Sequence, residues 1–234
     1  ADAPPKVEKV AKKAPTSANA PKPLAKVDRL DAALMARRID THVQSLLSQD
    51  NIPVSPRSSD AEFCRRLYLD LTGRIPSAEQ TLAFLNDSHP DKREKLVDTI
   101  LASKNYAVHM ADIWQSLLMP PNSENRRLDP EPLFGWLEKS FAANKPWDAF
   151  SRELLTASGE QDKNGATTYF LANSSIDRLT DSVCKLFMGV QLQCAQCHNH
   201  PFNPAWKQDD YWATAAFFMK VKAQPPRGKD VKPP

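Results

Sequence analysis

The chain has 234 residues, of which 41% are hydrophobic and 25% are charged, enough apolar content for the core of one soluble domain. Six residues are glycine and 20 are proline, so tight β-turns are scarce and helices are favoured over sheets. The net charge of +3 is uneven: residues 1–26, with six lysines and two acidic residues, carry +4, and the rest carries −1. The rest therefore has no basic face for nucleic acid, and no apolar run of 18 residues predicts a membrane span.

Both ends of the chain are rich in proline. Residues 1–27 consist mostly of Ala, Pro and Lys without aromatic side chains, so we predict a disordered linker there. Residues 223–234 contain four prolines and are predicted to be a tail or the boundary to a further C-terminal domain of a larger parent chain. Residues 28–222 are then predicted to form one helical domain.

Within that domain apolar residues recur every three or four positions, which is the period of an α-helix. The first two predicted helices cover residues 30–47 and 63–71. The second has a polar N-terminal cap at residues 58–60 and stops at Gly73, which is suited to a helix C-terminus.

The next helices are marked by local end signals. Ser77 followed by Gln80 forms a capping-box pattern that opens a short third helix. Pro90 suits the first turn of a fourth helix, and a fifth covers residues 106–117 and ends at Pro120.

The second half of the domain continues the helical pattern with one interruption. Helices are predicted around residues 133–141 and 150–155, whereas residues 161–173 are polar and are predicted to be a loop. A last helix over residues 176–190 leads to Cys194. The fold class predicted from these patterns is all-α, with about eight to nine helices.

The sharpest motif is Cys194-Ala195-Gln196-Cys197-His198, since Cys-x-x-Cys-His is the attachment site of c-type haem. Two cysteines three positions apart on a helical turn each form a thioether to a vinyl group of one porphyrin. The adjacent His198 then supplies the proximal ligand to iron. The sequence therefore predicts haem c as cofactor.

Zinc is the alternative cofactor, because Cys194, Cys197, His198 and His200 are four donors within seven residues, and Cys184 lies one helix away. Structural zinc sites usually join two separated ligand pairs, which this cluster lacks. Cys64 and Cys184 are expected to be either buried free thiols or a disulfide.

Segments around the motif and upstream of it form a wider pattern. They resemble the planctomycete cytochrome-like domain family, whose secreted members have largely undefined functions, and the resemblance covers residues 28–218. It rests on the motif with its flanks at residues 189–202 and 206–218, and on residues 63–76, 91–98 and 143–148. The resemblance also implies a larger C-terminal domain in the parent protein.

A c-type haem needs its sixth iron position either filled or left open. His109 shares a helix side with Tyr106, Ile113 and Trp114, and we predict it as the distal ligand, a satisfied core histidine being the alternative. His200 lies too close to His198 to reach the opposite face, so a hydrogen bond to a propionate or a backbone group is expected. Met119 and Met188 are weaker candidates for the sixth position.

The function predicted from these residues is electron transfer by an extracytoplasmic c-type cytochrome, periplasmic or secreted, because haem is attached covalently outside the cytoplasm. Its partner would be a redox protein. Two alternatives stay open: a haem enzyme or sensor with an open iron site for peroxide or another small ligand, and a haem-free zinc-bearing or structural interaction module.

Overall fold

The computed structural model describes residues 31–120 and 128–223. The predicted linker at residues 1–27 and the predicted tail beyond Ala223 lie outside the described residues. The described residues form ten α-helices and no strand, which confirms the predicted all-α class. None of these helices is both long enough and apolar enough to cross a membrane.

The chain divides into two compact units, residues 1–57 and residues 58–234. The described part of the first unit contains helix α1 (Ala32–Gln49), which begins after Asp31. The second unit contains the remaining nine described helices and the Cys-x-x-Cys-His motif. Its α-helices are α2 (Asp60–Thr72), α3 (Ala78–Asn86), α4 (Lys92–Leu101), α5 (Lys104–Leu118), α6 (Glu131–Ala142), α7 (Trp147–Leu155), α8 (Thr168–Ala172), α9 (Ile176–Phe187) and α10 (Gln208–Ala215).

Most helix ends lie where local side chains predict them. Ser59 caps α2, and Gly73 ends it in the left-handed region at φ +67°. At the start of α3 the predicted capping box is present: the amide of Gln80 donates to Ser77 Oγ, and the amide of Ser77 donates to Gln80 Oε1. Pro90, in contrast, precedes the N-cap residue of α4 and lies outside its first turn.

The prediction of a loop at residues 161–173 is wrong for its second half. A 3-10 turn (Gly165–Thr167) leads into α8, and residues 166–173 are all buried. Their polar groups have interior partners: the Tyr169 hydroxyl donates to Ser182 Oγ, and Nδ2 of the Asn173 side chain donates to the carbonyl of Leu118 at 2.9 Å. Polar composition here reflects buried hydrogen bonding rather than exposure to water.

Two clusters of buried side chains organise the second unit. The larger joins α5 through α9, with buried members Ala111, Leu118, Leu133, Leu137, Phe150, Leu154, Ala166, Tyr169, Phe170, Leu179 and Val183. The smaller cluster consists of Cys184, Leu192, Ala195, Tyr211 and Ala215. Because Ala195 is the second residue of the Cys-x-x-Cys-His motif, the smaller cluster fixes the motif to α9 and α10.

Candidate functional site

The chain leaves α9 earlier than its apolar pattern predicts. The helix ends at Phe187, and Gly189 adopts φ +66°, a conformation that glycine reaches without strain. The amides of Met188 and Val190 both donate to the carbonyl of Cys184, at 3.2 and 3.0 Å. This turn directs the backbone away from the α9 axis before the motif begins.

Cys194 lies in a 3-10 turn (Gln193–Gln196), Cys197 directly follows it, and both cysteines are exposed. Leu192 and Ala195 are buried, and the amide of Ala195 donates to the carbonyl of Leu192 at 2.9 Å. The predicted helical turn is therefore present in the tighter 3-10 form, with both thiols free and accessible.

His198 follows the second cysteine directly and is exposed. Its Nδ1 lies 2.6 Å from the carbonyl oxygen of Asn199, a contact in which Nδ1 carries the proton and donates. That tautomer leaves a lone pair on Nε2, which is the usual arrangement of a histidine that binds a metal through Nε2.

His200 has a different role. Its Nδ1 accepts hydrogen bonds from the amides of Phe202 and Asn203, at 3.2 and 3.1 Å, and its own amide donates to the carbonyl of Trp206. The proton must then lie on Nε2, so His200 closes the loop after the motif and presents a donor outward. A donor of this kind suits a carboxylate better than a metal ion.

Helix α10 holds the motif turn from outside. The carbonyl oxygen of Gln196 accepts hydrogen bonds from Gln208 Nε2 and Trp212 Nε1, each at 3.1 Å. The amide of Gln208 also donates to Asn199 Oδ1 at 3.1 Å. The sequence prediction missed α10, although an acidic first turn and the Lys207 amide donating to Asp210 Oδ2 mark its start.

The two buried titratable side chains that pack beneath the motif turn are uncharged at neutral pH. Burial raises the pKa of the Tyr211 phenol, and the nearby carboxylates of Asp177 and Asp181 raise it further. Burial also raises the pKa of the Cys184 thiol, with a smaller contribution from Asp181. Both groups therefore stay protonated, and the side of the motif turned toward the core is apolar.

A cleft of about 350 Å³ opens beside the motif turn. Met219 and Trp212 line it and are 67% and 50% exposed. Gln196, from the motif itself, forms part of the wall, together with Ile176, Asp177, Tyr211 and Ala215. The cleft is mostly apolar and adjoins the turn that carries the two thiols.

The predicted distal ligand, His109, lies in another cleft. It packs against Gly73 at the end of α2, so closely that a β-carbon there would lie 2.6 Å from His109 Nδ1. This cleft of about 190 Å³ is lined by Thr72, Gly73, Arg74, Asn105, Val108, His109 and Asp112, and includes no residue of the motif. Cys194, Cys197, His198 and His200 are neighbours along the chain, whereas His109 lines a cleft that includes none of them.

In the parts of the chain that the structure describes, which include every cysteine and histidine, no three His, Cys, Asp or Glu side chains are placed to hold one metal ion. Covalent haem would need two accessible thiols three positions apart and one imidazole nitrogen. The residues present fit that requirement.

Comparison with known proteins places the chain in a family. No curated protein and no solved structure matches it significantly. A family model described as "PSCyt2: Protein of unknown function (DUF1549)" matches residues 38–223, which include the motif turn, α10 and both clefts. The chain therefore belongs to this family, the planctomycete cytochrome-like family that the sequence resembles.

Proposed function

We propose that this chain is an extracytoplasmic c-type cytochrome domain that holds one covalent haem and transfers electrons. The observation that carries the proposal is the arrangement of Cys194, Cys197 and His198 on one exposed turn, with His198 Nδ1 donating to a backbone carbonyl. Haem bound there would supply an iron that changes between the ferric and ferrous states. The protein's own groups would position it and leave it accessible to a redox partner.

Accessibility separates the motif thiols from the other two. Cys64 and Cys184 are fully buried, and burial raises the pKa of both thiols. Cys194 and Cys197 are exposed and lie three positions apart, as attachment to two vinyl groups of one porphyrin requires. The motif pair is therefore the one suited to thioether formation.

The surroundings of the turn also favour a porphyrin. The cleft beside Gln196 offers Trp212 and Met219 as apolar walls, and His200 Nε2 is a donor suited to a propionate. An iron site close to the protein surface favours outer-sphere electron exchange with another protein. Covalent attachment implies maturation in the periplasm or outside the cell.

The test is intact mass and absorption spectroscopy of the full chain produced in a periplasm with a cytochrome-maturation system. We expect a mass increase of one haem and a sharp α-band after reduction. Replacing both motif cysteines, Cys194→Ala with Cys197→Ala, should abolish the mass increase, whereas Cys64→Ala should retain it. An unmodified wild-type mass without Soret absorption would refute the proposal and favour the haem-free alternative.

A second pair of variants tests the proximal ligand. His198→Ala should abolish the normal low-spin spectrum, because the imidazole beside the turn is lost. His89→Ala is the matched control, since His89 is an exposed histidine paired with Asp91 and lies outside the motif. Equal spectra for the two variants would show that His198 does not bind the iron.

The spin state of the oxidised protein discriminates electron transfer from the enzyme or sensor alternative. A filled sixth position gives a low-spin spectrum and favours electron transfer. A high-spin spectrum with rapid binding of peroxide or another small ligand would favour an open iron site instead.

A further inference from the structure

A third cleft lies between the end of α5 and the exposed side of α9. Its volume is about 360 Å³, which is within the range of pockets that hold small molecules. None of its lining residues belongs to the Cys-x-x-Cys-His motif, so a ligand bound there would not depend on the haem proposed above.

Two lining residues of this cleft are held by hydrogen bonds within the fold. Nδ2 of Asn173, a residue that is 3% exposed, donates to the carbonyls of Leu118 and Tyr169, at 2.9 and 3.0 Å. The Tyr169 hydroxyl donates to Ser182 Oγ, a second lining group, at 2.9 Å. These bonds fix both side chains, so the cleft keeps its shape without a ligand.

Asp181 is a polar residue of this cleft whose hydrogen bonding is incomplete. Its Oδ2 accepts from Lys185 Nζ at 2.7 Å, and 17% of its side chain is exposed. Its Oδ1 is buried and has no hydrogen-bond partner in the parts of the chain that the structure describes. A buried carboxylate oxygen without a donor is costly, so Asp181 has an acceptor position to offer a ligand.

The neighbouring cation restricts which ligand fits. The side chain of Lys185 is 44% exposed, and its ammonium can donate three hydrogen bonds, of which Asp181 Oδ2 accepts one. This ammonium would repel a simple amine placed at Asp181, whereas a ligand with both an ammonium and a carboxylate would satisfy both residues. The rest of the lining is mostly apolar and includes Leu117, Pro120 and Leu186, so it suits an apolar body.

We propose that this cleft binds a free amino acid with an apolar side chain. The ammonium of the ligand would donate to Asp181 Oδ1, and its carboxylate would accept from Lys185 Nζ. Its side chain would lie against Leu117, Pro120 and Leu186. The domain would then bind a small metabolite at a site separate from its motif cysteines.

Isothermal titration calorimetry of the full chain with L-leucine at millimolar concentration tests the proposal. N-acetyl-L-leucine lacks the ammonium, and L-leucinamide lacks the carboxylate. Each should bind about tenfold more weakly than L-leucine, which is the effect of losing one charge-assisted hydrogen bond. L-Serine, which lacks the apolar side chain, should also bind more weakly than L-leucine.

A pair of variants locates the binding site. Asp181→Asn keeps the shape of the side chain but removes its charge, and it should weaken L-leucine binding about tenfold. Asp177→Asn is the matched control, because Asp177 lies on the same helix but lines the cleft beside the motif. It should leave the affinity for L-leucine unchanged.

The comparison of ligands uses the wild-type chain alone, so it stays decisive even where Asp181→Asn does not fold. Equal affinities of wild type for L-leucine and either analogue would overturn the proposal. So would an unchanged affinity in folded Asp181→Asn, or the absence of measurable L-leucine binding. None of these results bears on haem attachment, which intact mass measures separately.

Discussion

The two hydrogen bonds from α10 to the carbonyl of Gln196 are expected to act as one clamp on the motif turn. Trp212→Phe removes one donor and keeps an aromatic ring, and Gln208→Leu removes the other with little change in helix propensity. After either single change the carbonyl retains one partner. After both it has none, although the residue is partly buried.

The expected losses of unfolding free energy depend on whether the carbonyl keeps one hydrogen-bond partner or none. A single neutral hydrogen bond contributes about 1 kcal/mol net, so each single variant should lower the free energy of unfolding by about that amount. Leaving a partly buried carbonyl without a partner adds a desolvation cost of about 1 kcal/mol. The double variant should therefore lose about 3 kcal/mol, with a coupling energy near 1 kcal/mol between the two positions.

Urea denaturation of the full chain and the three variants measures this cycle. Gln196→Ala is the matched control, because it changes only the side chain and leaves both hydrogen bonds to the carbonyl in place; it should cost less than 0.5 kcal/mol, about the effect of a surface substitution. A double variant whose loss equals the sum of the single losses would refute the clamp, since the carbonyl would then be satisfied by water.

Two further predictions concern the fold around the site. Gly165→Ala should lower the free energy of unfolding by more than about 2 kcal/mol, because a β-carbon there would lie 1.8 Å from the carbonyl oxygen of Pro132. Gly135→Ala is the control and should raise the free energy of unfolding by about 1 kcal/mol, because a β-carbon there would meet no atom within 4 Å outside its own helix backbone. Similar urea midpoints for the two variants would contradict this prediction. Hydrogen bonds from Lys92 and Arg93 hold the pKa of Asp60 below its ordinary value of 3.8, so its stabilisation is present above that pH and is lost as the pH falls through the lowered pKa. Asp60→Asn should therefore lower stability at neutral pH and weaken the acid transition in a pH series, and an unchanged acid transition would contradict the ion pairs.

Helix ends were predictable because their chemistry is local. Ser59, Gly73 and the Ser77–Gln80 box each act on backbone groups within four residues, so the sequence alone contains the relevant partners. The end of α9 was misplaced because Val190 continues the apolar pattern, although Gly189 has already turned the chain. The pattern of side chains and the conformation of the backbone disagree at that point.

Helix α8 could not be predicted from its own residues. Tyr169 of α8 and Asn173 directly after it are buried because Ser182 and the carbonyl of Leu118, which lie outside the segment, supply their hydrogen-bond partners. Gly165, which looks like a loop residue, instead allows close approach to α6. Because of these tertiary contacts, the polar residues of this segment make buried hydrogen bonds instead of forming an exposed loop.

At the candidate site too, the sequence predicts local features better than features that depend on tertiary contacts. The spacing of the Cys-x-x-Cys-His motif could be interpreted from the sequence because Cys194, Cys197 and His198 lie within five consecutive residues. His109 was selected from the apolar face of its own helix, but a helix face does not specify which cleft it borders, and here it borders the cleft at Gly73.

Two large apolar side chains beside the motif turn are exposed and could be covered by an apolar ligand. Trp212 of α10 and Met219, which follows the 3-10 turn after α10, are at least half exposed, whereas Tyr211 and Ala215 of α10 belong to a buried cluster. Keeping Trp212 and Met219 in water costs about 25 cal/mol for each Å² of apolar surface that a ligand would cover. A porphyrin tethered at Cys194 and Cys197 would cover that surface without separate diffusion, so attachment should raise the stability of the second unit as well as create its redox centre.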